Sequence, residues 1–396
     1  MAEKDTSNVV FTLAGGSDWS AGALFYSNVI RALRSLAPQR NFRVAFIMQD
    51  DQSLKMQHGD LLALADKVIT FNPTPHSLTR AGRILKNYAN RLNSPMNKAL
   101  DEFGTDCLFT THLPENWAVP HIPVISWIPD FQHKRMPELF SAEELASRDS
   151  QFSFLAKHSA KLVVTSQDVS DDVGKFYPEI KGRCHVLKFA TSIPAQMLKQ
   201  DPAEIARLYN LPARFFLLPN QFWKHKNHTL VLHALARALK ERPDLAVVAT
   251  GNMRDYRHPH FMDELLQESS KLGLRNNFIV LGLVIREHLF ALMRRSIAVL
   301  QPSLFEGLSM TVAESKVLGK QIIASDIAVH RELAPAGTVF FNPHDAEQLA
   351  RLLSELDAAA EAHSLLSNNE IDFETALERA PHLVREFGDS IVKALS

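Results

Sequence analysis

Ser296-Ile-Ala-Val-Leu-Gln301-Pro302-Ser303-Leu-Phe-Glu306-Gly307-Leu308-Ser309-Met310-Thr-Val-Ala-Glu314-Ser-Lys-Val-Leu-Gly319 reads as strand, break, loop and helix. The apolar run to Gln301 is a buried strand, and Pro302 ends it because proline has no ladder N–H. A short helical stretch follows, and Gly319 closes it. Gln321-Ile-Ile-Ala-Ser325 is then a second buried strand. Strand, helix and strand in this order make a parallel βαβ unit, and α/β folds place ligands at the carboxyl ends of such strands. Glu306 lies beside a glycine in the turn, seven residues follow, and Glu314 falls about one turn inside the helix. The amides of Gly307, Leu308, Ser309 and Met310 would point out of the helix N-terminus, where free N–H groups and the positive dipole end hold phosphate. A carboxylate on either side can accept from sugar hydroxyls. The segment is laid out for a molecule with phosphate in the middle and sugar at both ends. An ordinary Glu-Gly turn before a helix would show the same residues, so the surrounding order must decide.

That order repeats. Val9 to Ala14, Arg43 to Met48, Lys67 to Phe71, Cys107 to Thr111, Pro123 to Trp127 and Lys161 to Thr165 are short apolar strands separated by helical patterns. After Cys184 the pattern fades until Pro194. A second series begins at Arg214 to Leu218 and runs through Leu245 to Ala249, Asn277 to Leu281, Ile297 to Leu300, Gln321 to Ala324 and Thr338 to Phe341. Two Rossmann-like parallel sheets in tandem account for this, and 396 residues is too long for one ordinary core. The sequence predicts an α/β protein with one domain over 1–190 and another over 191–375. Lys plus Arg number 43 and Asp plus Glu 44, so net charge offers no field for nucleic acid. Two distant cysteines, Cys107 and Cys184, read as buried thiols. The polar start, Met1 to Asn8, is not a signal-peptide pattern, and no apolar run is long enough to span a membrane.

Glu306, seven residues and Glu314 in a strand–loop–helix setting resemble the retaining glycosyltransferases of family 4, the glycosyl transferases group 1. Two further stretches carry the resemblance: Phe215-Phe-Leu-Leu-Pro-Asn-Gln221-Phe-Trp-Lys224-His-Lys226-Asn227-His228, and Val124-Ile-Ser-Trp-Ile-Pro-Asp130-Phe-Gln-His133. It covers most of the chain and is most specific from about 215 to 345. The resemblance implies a GT-B fold, with the two Rossmann-like domains facing across a cleft. It also implies a last helix, about 376–396, that packs back on the first domain.

The resemblance further implies the roles. Lys226 grips the donor diphosphate, Glu306 holds the transferred sugar beside the cationic ring, and Glu314 accepts from the ribose. Gly15 and Gly16 let backbone approach the donor, and the loop of Val284 meets the base. Gln221 stands where the family usually has an arginine, and Pro129 where it usually has a histidine, which leaves Asp130 and His133 on the acceptor side. A cation such as Lys226 opening a helix is locally unfavourable, so a bound anion would explain it.

The implied reaction moves a hexosyl unit from a nucleoside diphosphate sugar to a glycan or lipid-linked acceptor hydroxyl, with retention, no metal and no cofactor. It would run in the cytoplasm, with contact at the inner face of a membrane left open. A GT-B epimerase or phosphorylase, or a non-catalytic sugar-nucleotide-binding scaffold, would share these residues.

Overall fold

The computed structural model describes residues 6–13, 20–71, 94–112, 121–362 and 365–395. Gly15 and Gly16 lie outside them. The chain divides into two compact units, Met1–Ala190 with His382–Ser396, and Thr191–Pro381.

In the first unit the strands are β1 (Thr6–Thr12), β2 (Asn41–Gln49), β3 (Lys67–Phe71), β4 (Cys107–Thr110), β5 (Val124–Trp127), β6 (Lys161–Val164) and β7 (Cys184–Val186). They form one sheet in the order β3-β2-β1-β4-β5-β6-β7, all parallel. Val9, Val10 and Phe11 of β1 are buried, as a central strand covered on both faces requires. The Ser20–Arg34 helix lays Phe25, Tyr26, Val29, Ile30 and Leu33 on the sheet, a stripe at helical spacing with none of the five exposed.

The chain's last helix, Leu365–Leu395, contributes to both units. Within the first, Phe387 meets the Phe189 ring edge-on at 5.1 Å, and Ser390 Oγ accepts from the Lys188 amide at 3.0 Å. Gly388 makes this packing close, since a Cβ there would fall 2.6 Å from the Ala32 carbonyl oxygen. Both cysteines are free. Cys107 is buried, which pushes its thiol up to about 12, whereas Cys184 is only half-buried.

The second unit holds β8 (Phe216–Pro219), β9 (Val247–Thr250), β10 (Phe278–Gly282), β11 (Val299–Gln301), β12 (Ile322–Ser325) and β13 (Val339–Phe341). Their order is β10-β9-β8-β11-β12-β13, again parallel. The strand numbering reverses between β8 and β11. At such a switch point the two crossovers leave in opposite directions and open a crevice at the carboxyl ends. β11 is shorter than the apolar run from Ser296 suggests, because Ser296 closes the preceding helix with its hydroxyl on the Met293 carbonyl at 2.9 Å.

Lys320, after the Met310–Val317 helix, is buried with no carboxylate partner among the described residues. Its ammonium donates to the carbonyls of Ser296 and, at 3.4 Å, Arg294. Burial, with Arg295 nearby, lowers it from 10.5 to about 7. The native state then binds fewer protons than the unfolded chain between those values, so this group makes stability rise with pH across that window. Lys320→Met should remove that slope. Its melting temperature relative to wild type should be higher at pH 6 than at pH 9.5. A difference that does not change with pH would mean the lysine titrates normally.

Candidate active site

The loops after β8 and β11, neighbours across the switch point, carry Lys226 and Glu306. Lys226 Nζ lies 2.6 Å from Glu306 Oε1, and both side chains are largely buried. The same oxygen accepts from Ser303 Oγ at 2.7 Å and from Gln301 Nε2 at 2.9 Å. Burial works to raise the Glu306 carboxyl. Lys226 beside it, the nearby His330 and the Ser303 hydrogen bond outweigh burial and hold it below the usual carboxylate value. Glu306 is therefore ionised at neutral pH.

Gln301, the last residue of β11, joins the parts. Its Oε1 accepts from Asn220 Nδ2 at 2.9 Å, and its Nε2 also reaches Ser309 Oγ at 3.0 Å. Asn220 ends the β8 side of the crevice, and Gly251 lets it sit there. Gly251 has φ 147°, and a Cβ would fall 2.2 Å from the Asn220 carbonyl oxygen.

Ser309 occupies the N-cap of the Met310–Val317 helix, yet its side chain makes no capping bond. Its hydroxyl serves Gln301 instead, so no cap side chain competes for the first amides of the helix. Gly307 and Ser309 are buried, while Leu308 and Met310 are half-buried. Lys226 thus stands beside a helix N-terminus, two sources of positive potential in one place.

Glu314, inside that helix, is buried and ion-paired with Arg286, whose guanidinium lies 4.7 Å over the Phe290 ring. Arg286 opens the helix after β10. Val284, two residues earlier, is half-buried between exposed Leu283 and Ile285. Gln221 is half-buried in the loop after β8, where its carbonyl accepts from the Trp223 amide at 2.8 Å.

Three histidines line this region. His225 and His228 are buried and held well below the ordinary imidazole value, His228 at about 3, chiefly by burial and secondarily by Lys226. His330 lies with Nδ1 2.9 Å from the Ser325 carbonyl oxygen, and burial lowers it while Glu306 pulls the other way. Burial thus holds all three below the ordinary imidazole value.

Asp130 and His133 belong to the first unit, at and after the carboxyl end of β5. Asp130 is half-buried and accepts from the Gln132 amide at 2.9 Å, with Arg148 at 3.9 Å. His133 has a fully buried side chain set among Phe131, Phe140 and Phe152, and its Nε2 lies 3.0 Å from Asp149 Oδ1. Burial and Arg148 lower it, against the pull of Asp149. A ring with no exposed surface does not present itself to an acceptor, whereas Asp130 keeps part of its carboxylate exposed.

The structure brings Lys226, Glu306 and the Gly307–Met310 turn together, with Glu314 further along the same helix. Reading the sequence missed Gln301, Ser303, Asn227, Arg286 and His330. A polar residue ending an apolar strand just before proline was the signal for Gln301. Nothing local pairs Arg286 with Glu314.

Residues 206–370 match the family described as glycosyl transferases group 1. Over 152 residues the chain is 26% identical to the serotype-specific mannosyltransferase WbdA of Escherichia coli, a stretch that is 37% of this chain and 18% of that protein. The chain thus spans under a fifth of the length of that curated relative. Among solved structures it is similar to Anabaena HepE in complex with UDP and glucose, with TM-score 0.70 and 16% identity over 98% of this chain and 99% of that one. It is similar also to a glycosyltransferase from Rickettsia africae, with TM-score 0.70 and 14% identity over 99% of each chain. These likenesses agree with the two parallel sheets and the switch-point crevice. The match to glycosyl transferases group 1 over residues 206–370 thus lies in a chain of GT-B fold.

Proposed function

We propose that this protein is a retaining, metal-independent glycosyltransferase. It moves a hexosyl unit from a nucleoside diphosphate sugar to a hydroxyl of a glycan or lipid-linked acceptor. The observation that carries this reading is the 2.6 Å contact of Lys226 with Glu306 beside an uncapped helix N-terminus at the switch point. The relatives support it by what they are: one is a mannosyltransferase, and one was solved with UDP and glucose.

As the anomeric bond breaks, negative charge grows on the departing diphosphate and positive charge on the sugar ring. Lys226 and the amides of Gly307 to Met310 meet the first, and Glu306 faces the second. These groups are fixed before reaction, so they favour the transition state without reorganising. Because a lysine and a helix terminus supply the positive potential, the scheme needs no divalent ion. Glu306 already accepts three hydrogen bonds on one oxygen, which suits an electrostatic role rather than attack on carbon. The acceptor proton then leaves on the departing phosphate, from the same face. Glu314 serves the ribose and Val284 the base, with Gln221 beside the phosphates and Asp130 on the acceptor side. His133 acts there only by fixing its turn.

The test is incubation with UDP-, GDP- and ADP-sugars in EDTA, with a sugar acceptor panel. Transferred hexose with the donor's anomeric configuration, by NMR, is the expected result. Turnover that appears only after Mg²⁺ or Mn²⁺ is restored would overturn metal independence. An inverted product would overturn retention, and altered sugar released without any acceptor would favour an epimerase.

A further inference from the structure

The residue that leads furthest is Asn227. It is one of two non-glycine residues with positive φ among those described, at φ 59° and ψ 36°. It stands at the N-cap of the His228–Ala238 helix, a position that asparagine commonly fills in order to cap. Its side chain makes no capping bond. The amide nitrogen instead donates to the Pro302 carbonyl at 3.1 Å and to the Pro343 carbonyl at 2.8 Å. Those oxygens belong to the loops after β11 and β13. One side chain therefore ties three strand-end loops together, immediately after Lys226. A second tie runs nearby, from the Leu304 amide to the His225 carbonyl at 2.8 Å.

A backbone held in a sparsely populated region persists only where its surroundings determine it, and such places cluster at functional sites. Capping does not account for Asn227, and a turn alone would accept glycine. We infer that Asn227 is the positioning residue for donor binding: it fixes the turn of Lys226 against the loop of Glu306, so that the ammonium meets a nucleoside diphosphate in one geometry. The inference rests on the nucleotide-sugar reading of this site. Asn227 touches no reacting atom and acts through Lys226.

The variants separate its two features. Asn227→Gly keeps the left-handed backbone and loses both donors. Asn227→Asp keeps the shape but turns an acceptor toward two carbonyl oxygens. Titration calorimetry with UDP, GDP and their nucleosides, with a melting curve for each protein, reads the outcome. Both variants should bind the nucleoside diphosphate about tenfold or more weakly, the loss of roughly one well-placed charge-assisted contact. Nucleoside binding should hold, and both proteins should melt cooperatively. Diphosphate affinity equal to wild type in Asn227→Gly, or equal loss for diphosphate and nucleoside, would overturn the assignment and leave Asn227 a tie for stability alone. Wild type that binds neither diphosphate would instead overturn the nucleotide reading, and this inference with it.

Discussion

Glu306→Gln should lower kcat by two orders of magnitude or more while the protein stays folded. On the proposed reaction the carboxylate faces a ring that becomes cationic only as the bond breaks, so its charge counts mainly in the transition state. Losses of preorganised electrostatic groups run to roughly 3 kcal/mol, about a hundredfold. The structure adds a second expectation. Lys226 is paired with Glu306 at 2.6 Å, so the carboxylate and an incoming diphosphate compete for one ammonium. The amide releases that ammonium, and free nucleoside diphosphate should bind the variant at least as well as wild type. Steady-state kinetics and calorimetry together check this. Full activity in Glu306→Gln would remove Glu306 from the chemistry. Diphosphate binding that weakens with kcat would mean the carboxylate positions Lys226 rather than competing for it.

Lys226→Ala should weaken nucleoside diphosphate binding by about one to two orders of magnitude, from a charge-assisted contact worth roughly 1.5–3 kcal/mol. It should also reverse a pH dependence. In wild type the Glu306 carboxyl is held below its ordinary value of 4.5, so the pair's stability is present above that value and is lost as pH falls through the native one. Without Lys226 its largest counter-charge is gone, and burial governs. The native carboxyl then rises above the unfolded one, and the native state binds the extra proton. Acidification from pH 7 toward 5 should therefore raise the variant's melting temperature relative to wild type. Leaving a buried charge unpaired is what makes single-partner deletions costly. Equal slopes in the two proteins would mean Glu306 reaches solvent and needs no partner.

Much of the second unit was legible in one dimension. An apolar run, a proline, a Glu-Gly turn and a helix closed by glycine identify β11, its loop and the Met310–Val317 helix, because strand and helix propensities and chain breakers act locally. The spacing of Glu306 and Glu314 follows from that segment alone. The two-series pattern of strands likewise follows from apolar runs whose spacing is printed in the chain.

What local pattern could not supply was the set of partners. Lys226 and Glu306 are 80 residues apart, and Glu314 and Arg286 are 28 apart. They meet because β8 lies beside β11, with β9 and β10 on its far side, an order set by the crossovers and by the burial of both sheet faces. Burial decided the rest. His133 lies in a short turn after β5, yet Phe131, Phe140 and Phe152 surround it, since Phe152 of the following Ala142–His158 helix packs over that turn. Asn227 sits at a helix N-cap, and only the loops after β11 and β13 show what its amide holds. Residue types and their spacing determined which chemistry was available here. The tertiary structure decided which groups share a low-dielectric crevice, where a charge or an amide takes its role from whatever faces it.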